Sequence, residues 1–323
     1  MSKVVILYDG DILAYRASAA IDGRSVLVKH NKTKRTKEFK NKTEFYDLCK
    51  EKNLTIDKDD YTIIDQQNPE PIATACSIIK NQIERINADL FADEYLVCIS
   101  GKSNFRDNLP LPSKYKGGRS ETLRPVHLKE CKKYLWKSHP SLIAKDREAD
   151  DDLIIKGYEY LSKGYQVIIA GIDKDSWSSS GLSLYNYTEE VPKLELIPDF
   201  GYLTDTGKKI IGRGFLWLMF QQVLGDKTDS FNPAEIAGVK YGDKSAYNLL
   251  KDTTTKQEAL QLVVDQYKKW YPNEVTYTDW TGKKQTKDYR AIFQMYFSCA
   301  RMMQYEHDKL NAANFCKQHG VEL

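Results

Sequence analysis

Four clusters of carboxylates mark this sequence: Asp9 with Asp11, then Glu148, Asp150, Asp151 and Asp152, then Asp173 with Asp175, and finally Asp226 with Asp229. Ionised carboxylates brought together repel one another unless protons or cations intervene, so this residue type in this number points to hard divalent ions, Mg²⁺ or Mn²⁺. Two such ions side by side serve phosphate chemistry. In an extended segment residues two apart face the same way, so each Asp-x-Asp pair of the first and third clusters can address one cleft. Glu148 and Asp151, three apart at a helix start, share a face with Asp150 beside them. An Asp after a strand is also a common turn former, and acids in a first helical turn favour the macrodipole, so no single cluster is decisive. Their recurrence is.

The elements that must position these acids are readable from periodicity. Lys3 to Tyr8, Tyr95 to Ile99 and Gln166 to Ala170 are apolar runs that fit buried strands of a parallel sheet. Helical spacing at Ile72 to Leu90 and Asp150 to Leu161 separates them. The alternation predicts a doubly wound α/β core, in which ligands bind beyond the carboxyl ends of the strands. Asp9 and Asp11 follow the first strand, and Asp173 and Asp175 the third. Residues Ser25 to Phe45 read as a basic β-hairpin, either a flap facing nucleic acid or an edge guarded by lysines. Further strand-like pieces stand at Leu182 to Tyr187 and at Ile210 to Ile211, and from Phe215 onward the pattern predicts helices to the end. This divides the chain into an α/β catalytic core, 1–210, and a helical portion, 211–323.

With 41% hydrophobic and 29% charged residues in 323, the composition is that of a soluble globular protein. No run approaches the roughly 18 apolar residues of a membrane span, and the N-terminus enters at once on Val4-Val-Ile-Leu7 without a signal layout. A cytoplasmic protein is expected. The six cysteines form no CxxC pair and read as reduced core thiols. The net charge of +3 conceals strong segregation. Eight Lys or Arg face one acid between Arg24 and Lys42, twelve face four between Gly101 and Arg147, and from Glu148 to Asp175 seven acids outnumber three bases. A basic surface flanking an acidic, metal-seeking cleft suits an enzyme that holds a polyanion and cuts it.

Taken in order, Asp9-Gly-Asp11, Phe105-Arg106, Tyr115-Lys-Gly-Gly-Arg119, Glu148-Ala-Asp-Asp151, Asp173-Lys-Asp175 and Gly225-Asp-Lys-Thr-Asp229 resemble the motifs of the 5'-nuclease superfamily. That superfamily includes flap endonucleases and bacteriophage 5'-to-3' exonucleases and has a PIN-like α/β core. The resemblance spans roughly residues 3 to 250. It implies that Asp9, Glu148, Asp150, Asp151, Asp173, Asp175, Asp226 and Asp229 stand at metal positions, with Asp11 part of the first pair. It places Lys116 and Arg119 as phosphate-contacting catalytic cations at the base of a helical arch over about 114–145. Arg106, Lys114 and Tyr115 are expected at DNA, the latter two as interleaved cation and stacking ring. A hairpin similar to the family's helix-three-turn-helix runs from Ala237 to Ala246, and Gly238, Lys240, Gly242 and Lys244 would grip duplex phosphates there. In the family this hairpin often carries K⁺; the counterpart here is one residue short between its glycines. A second departure is Ser100 with Gly101, where family members commonly carry another metal-site Asp.

The reading that follows is a two-metal phosphodiester hydrolase acting from 5' ends or at flaps of DNA, with RNA in RNA:DNA hybrids as a further candidate substrate. Two alternatives remain open: a PIN-type ribonuclease, and a non-catalytic nucleic-acid-binding protein that retains the fold. Gly101-Lys-Ser103 looks like the end of a phosphate-binding loop, but Leu96 occupies the position of the required earlier glycine.

Overall fold

The computed structural model describes residues 2–54, 57–118 and 123–323. In chain order its strands are β1 (Val4–Asp9), β2 (Arg24–His30), β3 (Thr36–Phe39), β4 (Tyr61–Gln67), β5 (Glu94–Ile99), β6 (Ser141–Ile143) and β7 (Gln166–Ala170). There follow β8 (Ser183–Tyr185), β9 (Leu194–Leu196), β10 (Tyr202–Asp205), β11 (Ile210–Arg213), β12 (Val275–Thr278) and β13 (Lys284–Lys287). The helices are α1 (Gly10–Ala20), α2 (Lys42–Glu51), α3 (Ile72–Asp89), α4 (Leu128–Ser138) and α5 (Ala149–Ser162). They continue with α6 (Gly214–Leu224), α7 (Asp243–Leu250), α8 (Lys256–Trp270), α9 (Tyr289–Ala300) and α10 (Ala312–Gln318). Two compact units result, one of residues 1–11, 86–122 and 139–323, the other of 12–85 and 123–138.

The first unit is built on a six-stranded sheet in the order β6-β5-β1-β7-β8-β9. Every pairing is parallel except that of β8 with β9. From Val5 to Asp9 strand β1 is buried throughout, as a central strand covered on both faces must be. Its register sets Asp9 beside Cys98 and Tyr8 beside Ala170, so the carboxyl ends of β5, β1 and β7 lie side by side. Val5, Leu7, Val167 and Ile169 pack with Leu153 and Ile154 of α5, each buried apolar side chain contributing about 1.5–3 kcal/mol. Gly10 is required by a close approach: a Cβ there would lie 2.6 Å from the Cys98 carbonyl oxygen. Only glycine lets α1 begin at once where β1 ends, with Asp9 and Asp11 on either side.

A second core in this unit gathers α6, α8 and α9. Helix α6 is buried from Gly214 to Val223, and Phe220 and Val223 join Val263, Tyr267, Phe293 and Phe297 in one cluster. Gly225, at φ 81°, ends it; a Cβ would stand 2.4 Å from the Phe231 carbonyl oxygen. The chain therefore folds back tightly through Asp226 to Phe231. The expectation of helices from Phe215 to the terminus is corrected by the antiparallel hairpin β12-β13. Its strands, Val-Thr-Tyr-Thr and Lys-Gln-Thr-Lys, carry a period of two too short to stand out. The turn is fixed by Asp279, whose side chain accepts hydrogen bonds from the amides of Thr281 and Lys283.

In the second unit β2 pairs antiparallel with both β3 and β4. The basic hairpin is thus two strands of a three-stranded sheet, packed through Val26, Val28 and Phe39 on Phe45 and Cys49 of α2. Buried Asp22 accepts from the Arg24 guanidinium, the Gln67 amide and the Val126 backbone N–H, tying the approach to α4 to β2 and β4. The segment read as an arch is therefore divided: Lys114 to Gly118 belong to the first unit, α4 to the second. All six cysteines are free thiols, and among the described residues no helix is long and apolar enough to cross a membrane.

Candidate active site

Asp173 follows β7 and caps a 3-10 helix, Lys174–Ser178, its side chain accepting from the Asp175 N–H at 3.1 Å. Asp9 does the same at the end of β1, accepting from the Asp11 N–H at 3.0 Å, and Asp226 accepts from the Thr228 N–H at 2.8 Å. The Asp-x-Asp segments are thus cap-and-turn structures rather than the extended segments expected, because a carboxylate satisfies the free N–H groups of the turn that follows a strand. The short helix that carries Asp175 is held to α6: the Trp217 indole N–H donates to the Lys174 carbonyl, and Trp177 lies against Trp217.

Asp150, Asp173 and Asp175 each offer an oxygen, all within 4.8 Å of one another. An octahedral Mg²⁺ with ligands at about 2.1 Å spans oxygens about 3–4 Å apart, so this trio needs little closure to hold one. The electrostatics agree. Burial, then the charges of Asp9, Asp173, Asp175 and Glu148, push the Asp150 carboxyl well above the usual carboxylate range. Burial followed by Asp173, Asp229 and Glu148 raises Asp175 likewise, with Lys116 opposing. Carboxylates this crowded, with more negative charge than one lysine balances, fit a cation site.

Lys116 enters the same cluster. Its backbone takes φ 54°, its N–H donates to the Asp229 carbonyl at 2.8 Å, and its ammonium pairs with Glu148 and lies 3.6 Å from Asp229 Oδ2. Burial works against that charge, but Glu148, Asp229 and Asp150 outweigh it and hold the lysine protonated. Tyr115, expected at DNA, is corrected: only 2% exposed, it points its hydroxyl inward between two acceptors, Glu148 at 3.2 Å and Asp229 at 3.0 Å.

Two further expectations are corrected. Arg106 is fully buried and cannot touch DNA; its guanidinium meets the Asp151 carboxylate at 2.6 and 3.0 Å and donates to the carbonyls of Ser298 and Arg301. Asp151 is therefore not among the three carboxylates placed to hold a cation. Its oxygens also accept from the backbone N–H groups of Glu148 and Met303. Burial alone would raise its pKa, yet Arg106 holds it below the usual range. Asp226 likewise faces a lysine, Lys174, at 2.7 Å. Asp11 accepts from the Ser100 N–H at 3.2 Å, and the Ser100 hydroxyl accepts from the Ala149 N–H at the start of α5. Gly101 is fixed sterically, since a Cβ would fall 2.0 Å from the Ala144 carbonyl oxygen.

Gly238 ends the turns at 233–238, and Lys240 and Gly242 lie in the exposed loop from there to α7, with Gly242 the residue capping α7. Lys244 is exposed and paired with Asp205. Lys114 is exposed, its ammonium 5.4 Å from the Trp280 ring centre. Arg119 lies outside the described residues. The pairing of Lys174 with Asp226 and the inward Tyr115 hydroxyl were not legible in the sequence; the one signal for the pairing was that both residues stand inside acid-bearing motifs, and Tyr115, in a basic motif, gave none.

No family model matches the sequence, and no curated protein does. Among solved structures, a bacteriophage T5 flap endonuclease in a pseudo-enzyme-product complex with DNA and metal ions is 17% identical, covering 98% of this chain and 92% of that chain with a TM-score of 0.51. A mutant T5 5'-exonuclease is 14% identical over 98% and 91%, at 0.49. The chain has the 5'-nuclease fold.

Proposed function

We propose that this chain is a metal-dependent 5'-nuclease that hydrolyses DNA phosphodiesters in the cytoplasm, acting at 5' ends or flaps and leaving 5'-phosphates. The observation that carries the reading is the convergence of Asp150, Asp173 and Asp175 to within 4.8 Å, at the carboxyl ends of parallel strands. These three, with Asp9 and Glu148 beside them, would hold the divalent ion or ions, Mg²⁺ or Mn²⁺. Bound there, such ions supply an activated water and neutralise charge on the departing oxygen. Lys116 is kept charged by Glu148, Asp229 and Asp150 against the cost of burial, and it would leave Glu148 for the scissile phosphate once a cation takes over that carboxylate. Tyr115, its one hydroxyl proton shared between Glu148 and Asp229, would hold the two carboxylates in place. Arg119 would extend the cationic side of the cleft. Residues 211–323 would hold the duplex, with Gly238, Lys240, Gly242 and Lys244 at its phosphates.

Digestion of end-labelled substrates in Mg²⁺ tests this: a 5' flap, a nicked duplex and an RNA:DNA hybrid. Loss of label from 5' ends, with 5'-phosphorylated products, is the expected result. Release from 3' ends, or products with 3'-phosphates, would refute it.

A further inference from the structure

The loop Lys114 to Gly118 and the loop Asp226 to Phe231, which bring Lys116 and Asp229 to the acid cluster, also form two walls of an open groove of about 690 Å³. The third wall is Trp280, in the turn of the β12-β13 hairpin. Gly117 and Gly118 leave one side of the groove without side chains, while Lys114 and Lys227 supply two positive charges against Glu235, the one acid among its described lining residues. The volume is in the range of small-ligand sites and exceeds what one nucleotide needs.

Trp280 is held as a platform. Its indole N–H donates to the Leu109 carbonyl at 3.1 Å and its backbone N–H to the Leu111 carbonyl at 2.9 Å, so the ring cannot swing away. It remains 38% exposed, on a turn whose neighbours are polar. The Lys114 ammonium lies over its face. That side chain is long and exposed, so an incoming flat ring can displace its tip and leave the ammonium beside the ring's own phosphate.

We propose that Trp280 is a stacking platform for an unpaired nucleobase, with Lys114 at the adjoining phosphate, so that this groove holds a single strand beside the carboxylate cluster. The proposal rests on the nuclease reading for its substrate class but concerns binding. Stacking on an indole is sequence-tolerant, because every base has a π-face.

The test compares Trp280→Phe with Trp280→Leu in the full chain. Both lose the bond to Leu109 and both remain apolar, but only phenylalanine keeps a stacking face. Affinity is read by fluorescence anisotropy in EDTA, where cutting is blocked, for a short oligothymidylate and for an abasic oligomer of the same length and charge. Expected is a loss of about ten-fold for Trp280→Leu on the oligothymidylate, at most about three-fold for Trp280→Phe, and near-equal affinities of all three proteins for the abasic strand. Equal affinities of the two variants for oligothymidylate, or the same loss on the abasic strand, would overturn the proposal. A wild-type chain that binds in this pattern but cuts nothing in Mg²⁺ would overturn the nuclease reading and leave the platform standing.

Discussion

Arg106 and Asp151 form a buried, doubly bonded ion pair, Nη1 to Oδ2 at 2.6 Å and Nη2 to Oδ1 at 3.0 Å, with neither side chain exposed. It joins the loop before the acid cluster to the start of α5 and, through the carbonyls of Ser298 and Arg301 and the N–H of Met303, to the end of α9. Removing one partner leaves a buried charge uncompensated, which costs about 3–5 kcal/mol. Arg106→Met should therefore lower unfolding stability by that order, and Asp151→Asn should also destabilise. Chemical denaturation checks this; wild-type stability in both variants would mean that the pair is dispensable.

Asp173 has the opposite character. Asp173→Asn keeps an oxygen for the Asp175 N–H while removing one charge from the trio, so Mg²⁺-dependent cleavage should fall by orders of magnitude with the fold and DNA affinity retained. Unchanged cleavage would remove the trio from the chemistry.

The raised pKa of Asp150 has a consequence for stability. A carboxyl whose folded-state pKa lies above its unfolded value holds more protons folded than unfolded, so stability is lost as pH rises through the folded value. Without metal, Asp150→Asn should thus melt at a higher temperature than wild type at alkaline pH, and the gap should close toward mildly acidic pH. Added Mg²⁺ should raise the wild-type Tm more than that of the variant, because it binds the folded state alone. Differential scanning fluorimetry in EDTA and in Mg²⁺ reads both effects, and a pH-independent gap would contradict them.

Lys116 is tied to Glu148 and Asp229 rather than to solvent. If it turns to the scissile phosphate during reaction, Lys116→Ala should slow single-turnover cleavage by about a hundred-fold or more while changing DNA affinity only a few-fold. A change in affinity alone would make it a steering charge.

The sequence by itself determined the sheet's three central strands and the residue types at their ends. An apolar run buried on both faces is legible without context, and an acid directly after it has little freedom of position. The helix that opens at Glu148 shows where that legibility stops. Asp150 and Asp151 are adjacent and chemically identical, yet successive residues on a helix point about 100° apart. One faces the cleft, and the other faces Arg106, 45 residues away in sequence. The same limit applied to Tyr115 and Arg106, which look like DNA-facing residues until their burial is known. The hairpin bearing Trp280 also escaped notice, its period of two lasting only four residues per strand. Composition and spacing select which groups are available, because they follow from local chain geometry. Which of them share a cleft and which neutralise one another is decided by packing between distant segments, where burial turns a neighbouring charge into either a ligand or a structural counter-ion.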